Sequence, residues 1–229
     1  MSESLKNPAW HGLQTLQSHL GVREGRAARF HADISPFAAL GDDTGFDSLE
    51  ALVSVGESIV LLTDPTNSSR VPSSFEHLTE IRVTQMVCEV PTIDGIESTG
   101  TDLDETHADQ MLALARETDP GPFAIHTGRM GRYVGTFENG ELIAMAGERF
   151  RLPGWTEISA VCTSERARGK GLAKRLMANL MRRIYGQGDR AFLHVRVGSP
   201  SEQAALHAYR QLGFHDSQTL AGQVFRRVK

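Results

Sequence analysis

The sequence predicts an α/β fold, a mixed central sheet with flanking helices, preceded by a smaller N-terminal α/β half. Three observations carry this. From Thr79 onward, β-branched apolar runs alternate with amphipathic segments, the pattern of a layered α/β domain. Asn139-Gly140 stands between two such runs and is the strongest short signal for an antiparallel hairpin. Leu172, Leu176, Leu180 and Ile184 recur at i, i+4 spacing, with Lys174, Arg175, Arg182 and Arg183 off that stripe, which marks a helix with one buried face.

Taken in order, "NPAWHGLQTLQSHL" reads as a helix opening at Asn7-Pro8, since proline suits a first helical turn. "FDSLEALVSVGESIVLLTDPTNSS" reads as a short helix, a strand around Ser58–Leu62 and a turn. "TNSSRVPSS", residues 66–74, is the candidate linker. "TEIRVTQMVCEV" is β-branched and stops at Pro91, as a strand would. "DETHADQMLALARETDPG" is an amphipathic helix closed by Pro120-Gly121. The hairpin follows, then the strand "TEISAVCT", the striped helix from near Gly169 to Gly186, and the strand "AFLHVRV". "SPSEQAALHAYRQLGF" is a helix stopped by Gly213. Its start reads as a capping box, with Ser199 as N-cap, Pro200 first in the helix and Glu202 at N3. "GQVFRRVK" is a last strand. No internal repeat or low-complexity stretch stands out.

The 229 residues are 40% hydrophobic and 23% charged, a composition that can bury a real core. A net charge of −4 argues against a nucleic-acid binder, which is usually basic. Cys88 and Cys162 sit far apart inside apolar runs and read as buried free thiols of a reducing compartment. The N-terminus lacks the apolar core of a signal peptide, and no run approaches a membrane span, so a cytoplasmic protein is expected. The nine histidines show neither HExxH nor any other metal-ligand spacing, so no metal is expected. GxSxG is missing too.

The chemistry concentrates in "SERARGKGLA", residues 164–173, between a strand and a helix. A helix N-terminus has unpaired N–H groups and partial positive charge. Gly169 and Gly171 would let phosphate oxygens approach the backbone with no Cβ in the way, and Arg166, Arg168 and Lys170 add charge. The plainer alternative is a connection whose glycines only turn the chain. It is not a P-loop, which needs GxxxxGK and then Ser or Thr, nor a dinucleotide fingerprint, which needs a third glycine.

"RARGKGLAKRLM" resembles the acyl-coenzyme A signature of the GNAT acetyltransferase superfamily, with Arg166, Gly169 and Gly171 at its defined positions. "ALHAYRQLGF" is similar to that superfamily's later helix, matched at Tyr209, Gly213 and Phe214, although Ala208 stands where leucine is usual. An asparagine that often bonds the pantetheine is replaced by Glu202. The likeness spans about residues 79–229, taken as the acetyltransferase domain, and looks nearest to the glycine N-acyltransferase-like branch. Residues 1–78 are expected to be a degenerate companion half that walls the acceptor pocket, with an interaction domain as the alternative.

The resemblance implies a GNAT fold with the sheet splayed at the acyl-CoA strand, and acetyl transfer from acetyl-CoA to a primary amine of a small molecule or amino acid. It implies a cofactor site of Val161, Cys162, Thr163, Arg166, Arg168, Gly169, Lys170, Gly171, Leu172 and Ala173, and a monomer or homodimer. Tyr209 would protonate the departing thiolate. Glu157 is the candidate base, since alternation points it the same way as Ser159 and Val161. Glu148 and His194 are the other candidates, and water is a further route for the proton. The competing reading is a module of this fold that binds acyl-CoA, or senses it, without turnover.

Overall fold

The computed structural model describes residues 2–42, 44–66 and 71–229. Residues 67–70 of the candidate linker lie outside the described residues. Asn7 caps α1 (Pro8–Gln14), its side chain accepting from Trp10 N at 3.3 Å, with Pro8 in the first turn. Then come β1 (Gly21–Glu24), β2 (Ala27–Phe30), β3 (Phe37–Leu40), α2 (Gly45–Leu49) and β4 (Ser58–Thr63). β5 (Phe75–Cys88) starts earlier than its apolar run, so the division at residue 78 falls inside a strand.

β6 (Thr101–Leu103), α3 (Ala108–Thr118), β7 (Tyr133–Glu138), β8 (Glu141–Leu152) and β9 (Trp155–Thr163) follow. The β7–β8 hairpin turns at Asn139 and Gly140, with φ of 54° and 82°, as the Asn-Gly pair foretells. α4 (Leu172–Gly186), β10 (Arg190–Arg196), α5 (Glu202–Arg210) and β11 (His215–Arg227) complete the chain. The predicted stripe of α4 is buried along its length. β11 is longer than predicted because its polar first half, "HDSQ", pairs with β5 without showing an apolar alternation.

The capping box of α5 does not form. Ser201, not Ser199, is the N-cap, and the Glu202 carboxylate accepts from Gly198 N at 2.7 Å. Glu202 is therefore tied locally, as expected, but through a wider turn.

One sheet runs through the described residues in the order β1-β2-β3-β4-β11-β5-β10-β9-β8-β7-β6. Only β3/β4 and β9/β10 are parallel. Apart from the edge strand β6, the order has a two-fold repeat in it, although the sequence shows none. α4 packs with Ile158, Ala191 and Leu193 on one face, whereas α1 packs with Trp155 and Phe192 on the other. α3 joins the α1 face through Met111 and Leu114 against Ala160 and Cys162.

Candidate active site at the parting of β9 and β10

β9 and β10 pair in parallel over three positions only, ending at Glu157↔Phe192. Beyond that point they diverge, leaving one edge of β9 free. Ser164 N donates to Ile143 O at 2.8 Å. By antiparallel alternation the backbone groups of Thr163 and Val161 then point away from β8, toward the opening. Ala160 interrupts the strand with φ of 50°, beside a register shift between Met145 and Gly147. That bulge reverses the alternation. Glu157 therefore does not share a face with Val161, contrary to the simple period-two reading: Val161 packs toward α4, while Ala160 and Cys162 pack toward α3.

The loop after β9 leads to α4. Gly169 and Gly171 have φ of 78° and 71°, a region that favours glycine, and Gly171 is the N-cap with no side-chain cap to satisfy the first turn. A Cβ at Gly169 would meet nothing within 4 Å, and at Gly171 only Arg175 Nη1 at 3.9 Å. The cradle is open. Arg166 pairs with Glu141 at 2.5 Å and Lys170 with Glu138 at 3.4 Å, so two of the three basic residues are tied to the tip of the β7–β8 hairpin. Arg168 is exposed. Arg175, one turn into α4, belongs with this group and was missed because it read only as an off-stripe helix residue. With Leu172, Thr136 and Phe137 it lines an open groove of about 530 Å³.

Tyr209, on α5, packs against the core on the α4 side of the sheet and lies within electrostatic reach of Cys162 on β9. Its chain turns at Gly213, with φ of 96°, where a Cβ would lie 2.7 Å from Val90 O. Phe214 then folds back edge-on against the Tyr209 ring, with centroids 6.2 Å apart. That geometry explains the Tyr-x-x-x-Gly-Phe spacing. The Tyr209 hydroxyl has no hydrogen-bond partner among the described residues. Burial, helped by the Cys162 thiol, pushes its pKa up to about 12.

Glu157 is fully buried and its oxygens are engaged. Arg149 donates to both, at 2.8 and 2.6 Å, and His194 Nδ1 lies 2.6 Å from Oε1. Burial by itself would raise its pKa, but Arg149 and then His194 overcome this and hold it at about 2. The chain of contacts continues from His194 Nε2 to Gln85 Nε2, at 3.0 Å, and from Gln85 to Gln218 and the Leu5 carbonyl. Arg149 and Gln85 carry no motif in the sequence; only the pairing of four strands brings them here. Glu148 is 1% exposed and faces Arg132 at 3.3 Å. Among the described residues no group of His, Cys, Asp and Glu could hold a metal ion. Among the described residues no helix is long and apolar enough to cross a membrane. Both cysteines are free and buried.

Two parallel strands that part beside an open glycine loop at a helix N-terminus define an architecture, and this chain has it: the GNAT fold. A protein from Novosphingobium aromaticivorans assigned to the GNAT acetyltransferases is 29% identical, with 100% of each chain covered and a TM-score of 0.88. A GCN5-related N-acetyltransferase from Kribbella flavida is 18% identical over 95% of this chain and 93% of that one, with a TM-score of 0.62. A GCN5-related N-acetyltransferase-like protein from Streptococcus suis is 16% identical over 96% and 93%, with a TM-score of 0.58. The last two bear on fold alone. The model of FR47-like proteins matches residues 133–221, from β7 into β11. No curated protein matches. The 29% identical protein and the FR47-like match support acyl transfer as the general activity, and no comparison singles out the glycine N-acyltransferase-like branch. The first of them also takes in residues 1–78, which the motifs leave out.

Proposed function

We propose that the chain is an acyl-CoA-dependent N-acetyltransferase whose acceptor is a primary amine of a small molecule or amino acid. The observation that carries this is the open run from the parting of β9 and β10 to the uncapped glycine loop of α4. The fit is good on this chain's own geometry: the loop leaves the space a Cβ would fill, and the free edge of β9 offers backbone partners. Val161 and Thr163 would bond the pantetheine arm, beside Cys162. The N–H groups of Gly169, Gly171, Leu172 and Ala173 would hold the pyrophosphate, with Arg166, Arg168, Lys170 and Arg175 around it.

Bound acetyl-CoA would supply the activated acyl group as a thioester. Tyr209 is protonated at neutral pH and is the acid for the departing sulfur; because burial raises its pKa above that of a thiol, the transfer requires assistance from the site. Glu157 enters as a positioning residue: buried, doubly paired and ionised, it has little capacity to take a proton from an amine. The ammonium's proton leaves through water. An acceptor screen across amino acids, polyamines, aminoglycosides and peptides, read by release of CoA thiol, tests the proposal. Thiol release with one class supports it. Acetyl-CoA binding with no release from any class would favour a binding module instead.

A further inference from the structure

With β6 at one edge set aside, the sheet reads alike from both ends. From one end β1, β2 and β3 run antiparallel, β3/β4 is parallel and β4/β11 antiparallel. From the other, β7, β8 and β9 run antiparallel, β9/β10 is parallel and β10/β5 antiparallel. β11 and β5 meet between them. The chain order repeats too: helix, three strands, helix, two strands, first as α1 to β5 and then as α3 to β11, with the final strands exchanged and α5 inserted. β3 and β4 also part early, after Phe37↔Val60 and Ala38↔Leu61. Past these pairs lies a cavity of about 190 Å³, lined by Leu40, Asp42, Leu62 and Asp64 together with Lys6 and Asn7.

We propose that this second parting is a duplicate of the acyl-donor slot, closed by the chain's own N-terminal segment, so that each chain takes up one acyl-CoA. The inference rests on the donor site proposed above. Asn7 Nδ2 donates to Leu40 O at 2.8 Å, so a side chain of α1's cap occupies a backbone acceptor at the end of β3. The loop after β3 carries glycines, as its counterpart does, but they are covered. A Cβ at Gly41 would lie 2.6 Å from the Trp10 ring, and one at Gly45 would lie 2.6 Å from Arg26 O. Charge is reversed as well. Asp42, paired with Arg26 at 2.7 Å, stands where the other loop has Arg166, Arg168 and Lys170.

The following helix is also reduced, with five residues in α2 against 15 in α4. A pyrophosphate at this loop would meet an indole and a carboxylate. The cavity is smaller than the roughly 300–1,000 Å³ of ordinary ligand pockets. The N-terminal half has thus kept the strand arrangement of a donor slot and lost the access to it. It serves as a wall.

Calorimetric titration of the full chain with acetyl-CoA tests this directly. One equivalent is expected, with affinity lost about 100-fold or more in Gly171→Val, where a branched side chain enters the cradle. Because φ at Gly171 is positive, Arg168→Glu serves as a second variant at an exposed, unstrained position; about a tenfold loss is expected for one charged contact. Two equivalents in the wild type overturn the inference, as does a single site that both variants leave unchanged. No binding at all instead removes the donor site itself, and the inference with it.

Discussion

The Glu157 carboxylate and the His194 imidazole meet at 2.6 Å across the place where β9 and β10 stop pairing. Glu157 is the last β9 residue in register with β10, and His194 lies two residues beyond its partner Phe192. A side-chain link thus takes over where backbone pairing ends. Arg149 closes it on one side and Gln85 on the other. The link lies at the vertex of the opening, below the point where the strands part.

Glu157→Gln should lower stability by about 3–5 kcal/mol, because Arg149 is left buried without its counter-charge. Denaturant unfolding at neutral pH measures this. The acid dependence has a definite sign. A carboxylate held at about 2 adds stability above its ordinary value of 4.5, and that stability is lost as pH falls through about 2. Wild-type stability should therefore fall between those values, and the variant should lack that part of the decline. The acid limb of kcat/KM should persist in the variant. Its disappearance would return Glu157 to the role of base.

Tyr209→Phe should fold and bind acetyl-CoA normally while kcat drops by about 10²–10⁴, the usual worth of a placed acid. Because burial raises the phenol to about 12, the wild type should show no loss of kcat from this group up to about pH 10. A pH–rate profile with an identified acceptor reads both. A variant with wild-type kcat would exclude the acid role.

Tyr133→Phe should stabilise the free protein. The Tyr133 hydroxyl is buried with no hydrogen-bond partner among the described residues, and burial drives its pKa upward. Its ring lies so close over Gly147 that a Cβ there would stand 2.1 Å from the ring. Removing the orphaned hydroxyl should return about 1 kcal/mol, or about 2–4 °C in Tm for a chain of this size. Scanning calorimetry decides it: a lower Tm would mean that the hydroxyl has a partner after all.

Much of this was legible in the order of residues because it depends on local rules. The Asn139-Gly140 turn, the stripe of α4, the Asn7-Pro8 helix start and the glycine loop before Leu172 each follow from neighbours within a few positions, where backbone preference and periodicity act. The stop of α5 before Gly213 is of the same kind, whereas the Tyr209 to Phe214 spacing was legible only through its resemblance to the superfamily's later helix. What lay beyond reach was set by contacts between distant segments. Period-two alternation carried Glu157 to the wrong side of Val161 because one residue, Ala160, bulges out of register, and a bulge leaves no mark in composition. Arg149, Gln85 and Gln218 became partners of the site only when β8, β5 and β11 took their places beside β9 and β10. The repeat of the two halves was invisible for a related reason. Strand order and parallel pairing survive wide changes in side chains, so the second parting of parallel strands shows itself in topology, with Trp10 and Asn7 lying across it.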